Sequence, residues 1–315
     1  MSAAKNAATP EATPDATPRA MPELPADAHK GTAGRALLVA GSRLMPGAAI
    51  LAVRAALRAG AGLATLAALD RELLGLVPLA APEALLADWS AEEFARTSLE
   101  RELASRDDHA RLAGPGLGRG ARTRRVLEAL LADRFEGPLV LDADALNELA
   151  ELGPERLRAR RGFTALLPHP GEAARLLGAP IPSDADGRRA AATELARRTG
   201  AAVVLKGRGS VIVHGERVFV NATGNPGMAT GGSGDVLAGI AVAYLAAVAA
   251  RQAPRDAGAP FGPLDALRGA VHVHGLAGDL AARELGTRAL IASDLVEFLP
   301  AAQRSHASCS LPRSC

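Results

Sequence analysis

Ten residues late in the chain, Thr230–Gly239 (TGGSGDVLAG), set four glycines around one carboxylate, and an apolar run of helical length begins there. The first amides of a helix lack intrahelical partners and carry partial positive charge, so a glycine-rich turn leading into one is a seat for an anion. Asp235, itself an anion, stands at the mouth of that seat. Two readings fit it. As structure, an aspartate near a helix start is a favourable cap. As chemistry, the amides of Gly232, Ser233 and Gly234 and the Ser233 hydroxyl hold a phosphate in transfer, while Asp235 accepts the proton of an attacking hydroxyl. The preceding GNPGMA carries the motif back to Gly224, further than a cap requires.

Other polar residues stand where apolar runs end. LKGRGS offers Lys206, Gly207, Arg208, Gly209 and Ser210, whose amides, ammonium and hydroxyl suit nucleotide phosphates. A lysine at a strand end is also an ordinary solvated residue. PHPGE fixes His169 between two prolines, in a rigid turn that either touches substrate or only turns the chain. LDADALN supplies Asp142, Asp144 and Asn147, carboxylates suited to holding Mg²⁺ through water. Asp144 equally suits the N-cap of a helix ALNELAEL. His272, His274 and Asp279 in HVHGLAGD read as structural members of a helix. GPGLG is not a complete dinucleotide fingerprint. His169 has no second His or Cys at ligand spacing, so no transition-metal site is expected.

Positioning these groups requires alternating strands and helices. Candidate strands are 36–40, 62–69, 138–143, 164–168, 201–207, 210–215 and 216–222; candidate helices are 47–60, 123–134, 171–178, 187–200 and 264–286. That alternation predicts an α/β fold, a mostly parallel central sheet with helices on both faces. The adjacent runs SVIVHG and ERVFVNA predict an antiparallel hairpin. Ligands of such sheets gather beyond the carboxyl ends of the strands, where GSRLMPG, GPGLG, DADALN, PHPGE and KGRGS all fall. Residues 251–263 read as a Pro/Gly loop. Residues 1–30 read as a disordered arm, 31–304 as one domain and 305–315 as a flexible tail holding Cys309 and Cys315, the only two cysteines.

Composition narrows the function. A 48% hydrophobic content with 3% aromatics calls for a core of Ala, Leu and Val, and a net charge of +2 without basic blocks gives no footprint for nucleic acid. The longest uncharged apolar run, 236–250, falls short of the ~20 residues that span a bilayer, so a buried helix and a cytoplasmic protein with no membrane partner are expected.

Six ordered motifs, GSRLMPGAAILAVRAALRAGAGLATL, GPGLG, LDADALN, LPHPGEAARLLG, VVLKGRGSVIV and GNPGMATGGSGDVLAGI, resemble the NAD(P)H-hydrate dehydratases over roughly residues 30 to 300. The resemblance implies a ribokinase-like fold and a repair reaction, in which the ring hydroxyl of hydrated NADH or NADPH is phosphorylated, in bacterial members by ADP, and phosphate then leaves. It assigns Ala48, Gly116, His169 and Asp235 to the hydrate, Lys206–Ser210 and Gly234 to the nucleotide, and the role of base to Asp235. It further implies Mg²⁺ and a homotetramer. Many bacterial relatives carry an epimerase domain ahead of this part; the 30-residue arm has no room for one, so epimerisation by another polypeptide is expected. Ser233, Ser210 and Leu167 stand where the family has threonine; the two serines keep a hydroxyl donor. A hydroxyethylthiazole-type small-alcohol kinase and a non-catalytic adenine-nucleotide sensor are the competing readings.

Overall fold

The computed structural model describes residues 17–91, 96–251 and 261–310. The chain starts with β1 (Arg35–Val39), α1 (Pro46–Arg58) and β2 (Leu63–Ala68), followed by α2 (Leu73–Ala80), β3 (Leu85–Asp88) and α3 (Arg96–Ser105). Then come β4 (Ala110–Ala113), α4 (Ala121–Ala132), β5 (Leu139–Leu141), α5 (Ala143–Leu152), β6 (Thr164–Leu166), α6 (Pro170–Leu177) and α7 (Ala185–Thr199). β7 (Ala202–Leu205), β8 (Val211–His214) and β9 (Arg217–Val220) precede α8 (Ser233–Ala250), α9 (Pro263–Leu285) and α10 (Ala292–Ser310).

Among the described residues the strands form one sheet in the order β3-β2-β1-β4-β5-β6-β7-β8-β9. Pairing is parallel as far as β7 and antiparallel from β7 through β9, where β8 and β9 form the expected hairpin and β7 joins it antiparallel as well. Strand order reverses between β1 and β4, the topological switch point at which such sheets open a crevice. Successive side chains alternate between the two faces of a strand. Accordingly, Ala36 and Leu38 enter a core with α1, α8, α9 and α10, while Leu37 and Val39 enter a second core with α4 to α7.

α8 has the length and apolar content of a bilayer-spanning helix, yet it is packed inside the protein, as expected of the 236–250 run. Its crossing with α1 is close: a Cβ on Gly239 would stand 2.2 Å from the Ala52 carbonyl oxygen. The smallest side chain is what brings α8 this deep, and α8 carries Asp235 at its start.

The termini differ from the expected arm and tail. Pro18 is buried and its carbonyl accepts from His306 Nε2 at 2.7 Å, while Arg251 donates to the carbonyls of Pro22 and Glu23 at 2.8 and 2.9 Å. Residues 17–23 are therefore tied to the domain, and α10 continues past the expected boundary at 304, with His306 buried. Most of the expected 251–263 loop and the last residues of the tail lie outside the described residues.

Candidate functional site

Gly232 caps α8 in a left-handed conformation (φ +88°), which turns the chain so that Ser233, Gly234 and Asp235 form the first helical turn. Across the crevice, β7 delivers Lys206, whose backbone amide is fixed to the Pro168 carbonyl at 2.8 Å. β5 delivers Asp142. The Lys206 ammonium donates to Asp142 Oδ1 at 2.6 Å, and a Cβ on Gly234 would lie 3.3 Å from Nζ, so ammonium, carboxylate and anion seat adjoin. Among the described residues the Asp235 carboxylate accepts no hydrogen bond, and Lys206 acts on it through charge alone.

The electrostatics follow from this crowding. Burial raises the Asp235 pKa to about 6, the Asp142 charge adds to the rise and Lys206 opposes it. Burial likewise pushes Asp142 to about 6, against the pull of Lys206. Burial works against the Lys206 charge, but Asp142, Glu172 and Asp235 override it and hold the ammonium above its usual range. At neutral pH all three are ionised, with one cation facing a surplus of negative charge.

Two of the expected substrate residues, Ala48 and Gly116, meet at the switch point, and His169 stands beyond β6. Gly116, in the turn after β4, has φ +63°, and a Cβ there would stand 2.6 Å from that of Ala48 at the start of α1. These two loops therefore touch across the crevice mouth. His169 caps α6, its Nδ1 accepting from the Gly171 amide at 2.9 Å, while Glu172 Oε2 accepts from the His169 amide at 2.8 Å. Its Nε2 faces Glu172 Oε1 at 3.4 Å, and half of the side chain is open to solvent.

Three expectations change in detail. The Ser233 hydroxyl, expected to face a phosphate, lies buried 3.3 Å from His274 Nε2. The Ser210 hydroxyl donates to the Gly207 carbonyl at 3.0 Å, closing its own loop. Asp142, not Asp144, caps α5 by accepting from the Ala143 amide at 2.8 Å, and Asp144 Oδ2 instead accepts from the Gly118 amide at 2.8 Å. Ala143 between them has φ +48°, the one positive φ outside glycine among the described residues and a local strain at the site.

Sequence reasoning passed over residues that hold the site in shape. His274, assigned to helix structure, donates from Nε2 to the Ser233 carbonyl at 2.9 Å; burial depresses it to about 4, so it stays neutral and pins the α8 start. Asp279 accepts from the Gly224 amide and Asn225 Nδ2 at 2.9 and 3.0 Å, anchoring the GNPGM turn. Arg188 of α7 reaches the Lys206 loop. Beside that loop lies a cavity of about 470 Å³ lined by Arg188, Arg189, Arg208, Gly209, Asn221 and Thr223 among others. Its basic wall suits a phosphorylated ligand.

A sheet of this order with such a seat at its strand ends defines a ribokinase-like protein. More narrowly, the chain belongs to the NAD(P)H-hydrate dehydratase family, whose sequence profile matches residues 36–301. It is 40% identical over 284 residues to the bifunctional NAD(P)H-hydrate repair enzyme of Thermofilum pendens, covering 89% of this chain and 51% of that protein. The chain thus spans about half the length of that relative. It is 35% identical to the ADP-dependent (S)-NAD(P)H-hydrate dehydratase of Neisseria meningitidis, covering 70% of this chain and 72% of that one. The crystal structure of the ADP/ATP-dependent NAD(P)H-hydrate dehydratase of Bacillus subtilis, co-crystallised with ATP and Mg²⁺, is similar at a TM-score of 0.77. Its identity is 30%, covering 91% of this chain and 95% of that one.

Proposed function

We propose that this chain dehydrates the S-epimer of hydrated NADH and NADPH with ADP as phosphoryl donor, releasing AMP and phosphate. The observation that carries the reading is the unpartnered, raised-pKa carboxylate of Asp235 beside the Lys206–Asp142 pair and the α8 anion seat. Family membership supports the substrate.

In this scheme the β-phosphate of ADP rests at the Gly232–Gly234 turn, with the rest of the nucleotide toward Lys206–Ser210 and the basic cavity. The hydrate lies between Ala48, Gly116 and His169. Asp235 takes the proton of the ring hydroxyl as its oxygen forms a bond to the β-phosphorus, and the bond from phosphorus to the AMP oxygen breaks. The carbon–oxygen bond to the new phosphate then breaks as a neighbouring ring proton leaves, restoring the double bond. Lys206 offsets negative charge gathered at the seat.

We further propose Mg²⁺ as a companion of the nucleotide. Among the described residues no three potential ligands cluster as a metal cage. This fits an ion that keeps its waters and is held by phosphates, with the Asp142 and Asp144 carboxylates as outer partners. Mg²⁺ bound there would neutralise phosphate charge. A homotetramer, a cytoplasmic location and a separate epimerase that converts the R-hydrate to the S-form complete the proposal.

The test is to supply purified S-NADH hydrate and ADP and follow absorbance near ~340 nm, where a reduced nicotinamide absorbs, together with AMP and phosphate. Restored NADH, AMP and phosphate in equal amounts are expected. No recovery of NADH, alongside phosphorylation of hydroxyethylthiazole to a stable ester, would favour the small-alcohol kinase; nucleotide binding without any turnover would favour the sensor.

A further inference from the structure

The Lys206–Ser210 loop leaves β7 and enters β8, a connection whose shape α7 controls through one side chain. Arg188 Nη1 donates to the Arg208 carbonyl at 2.5 Å, and Nη2 lies 3.3 and 3.4 Å from the carbonyls of Leu205 and Lys206. The remaining carbonyl of the turn, that of Gly207, accepts from the Ser210 hydroxyl. Every carbonyl from residue 205 to 208 is therefore tied down.

The amides are not. In a trans peptide the C=O and the following N–H point in opposite directions. Turning the Lys206 and Arg208 carbonyls onto the guanidinium thus presents the N–H groups of Gly207 and Gly209 on the opposite side. Among the described residues neither amide has an acceptor. Gly207 (φ +139°) and Gly209 (φ +60°) take conformations that L side chains avoid, and a Cβ on Gly207 would come within 3.0 Å of Arg188 Nη2. Paired free amides in such a turn form an anion-binding concavity. Arg188 itself pairs with no carboxylate among the described residues and lines the basic cavity with Arg189 and Arg208. Among the described residues its charge is met by carbonyl dipoles alone.

We propose that Arg188 is the positioning residue of the nucleotide site: it pre-forms the Lys206–Ser210 loop so that the Gly207 and Gly209 amides receive the phosphates of a nucleoside diphosphate. This rests on the nucleotide half of the function proposed above and not on the identity of the phosphoryl acceptor. Held in this shape, the loop meets its ligand without first ordering itself. Without the guanidinium, three carbonyls lose their partner and the peptides are free to rotate.

The experiment compares wild type with Arg188→Met and Arg188→Lys, using calorimetry with ADP and with adenosine, and steady-state kinetics with the S-hydrate. In the Met variant ADP binding should weaken on the order of 10–100-fold, the range for hydrogen bonds to a charged group. Adenosine, which lacks phosphate, should bind as before. KM for ADP should rise with it, while KM for the hydrate changes by less than ~3-fold. The Lys variant, with charge but no fork of donors, should fall between. Unchanged ADP affinity in the Met variant, or an equal loss for adenosine, would overturn the inference. Should the Met variant not fold, hydrogen exchange on wild type decides: ADP must slow exchange at the Gly207 and Gly209 amides, and unaltered exchange there refutes the assignment. A wild type that binds ADP with this protection but leaves the hydrate untouched would sink the dehydratase reading alone.

Discussion

Replacing Asp235 with asparagine removes a negative charge and a proton acceptor with almost no change in volume. The carboxylate sits partly buried, with burial and then Asp142 pushing its pKa from 3.8 to about 6. Because the folded pKa lies above the unfolded one, the folded state binds the extra proton, and ionisation at neutral pH weighs against folding. A shift of roughly two units corresponds to about 3 kcal/mol. Partial solvent access reduces this to about 1–2 kcal/mol. Asp235→Asn should therefore be more stable than wild type at pH 7, melting roughly 2–6 °C higher. The gain should shrink as pH falls through about 6 and vanish below the unfolded value of 3.8, where the aspartate is neutral in both states. Turnover should drop at least ~100-fold, the lower range for a positioned acid–base group. ADP affinity should be kept or improved, because a charge facing the phosphates is gone. Calorimetric melting at pH 7 and 4, ADP titration and the NADH-recovery assay measure the three effects. A variant that turns over normally would refute the base, and one that melts lower at pH 7 would refute the electrostatics.

Other perturbations separate the parts of the site. The acid limb of kcat/KM should centre near pH 6 in wild type, set jointly by Asp235 and Asp142. Lys206→Met removes the cation that lowers both carboxylates, so the limb should move to higher pH; a limb that stays in place contradicts the assigned coupling. The same variant should lose about 3–5 kcal/mol of stability at pH 7 by stranding Asp142, with part of the loss regained as falling pH protonates Asp142, at a pH above the wild-type value of about 6. Gly116→Ala forces a Cβ against Ala48 and should raise KM for the hydrate by roughly tenfold, an overpacking effect of 1–3 kcal/mol, with little change in KM for ADP. Ala143→Gly relieves φ +48° and should leave stability equal or up to ~1 kcal/mol higher in urea unfolding, whereas an ordinary helical alanine would lose that much.

What the sequence disclosed and what it hid have physical reasons. Strands such as ALLVA and AAVVL are apolar runs bounded by turn residues, and they formed within a residue or two of where they were expected. β4 is too short and carries Arg111, an arginine 1% exposed whose charge is answered by Asp108 and by Asp133 of the residues after α4. Asp133 lies 22 residues further along the chain, so the sequence alone does not show the burial of this arginine or of its strand. α2 contains Pro78 and shows solvent Leu76 and Leu79, which erases the polar face that marks a surface helix. At the site, Asp235 and the glycines were legible because few other residue types serve an anion seat. Arg188 was not: it is one of four arginines on α7, and only the packing of that helix against β7 and β8 singles it out. The Ser233 hydroxyl was assigned outward because a sequence does not reveal that His274 waits behind it.

The fate of one oxygen atom tests the mechanism most directly. S-NADH hydrate carrying ¹⁸O in its ring hydroxyl, turned over with unlabelled ADP, should deliver the label to inorganic phosphate, because that oxygen bonds to phosphorus beside Asp235 before leaving carbon. Label found in water, with phosphate unlabelled, would mean that the hydroxyl never attacked the nucleotide, and the role given to Asp235 and its anion seat would be wrong.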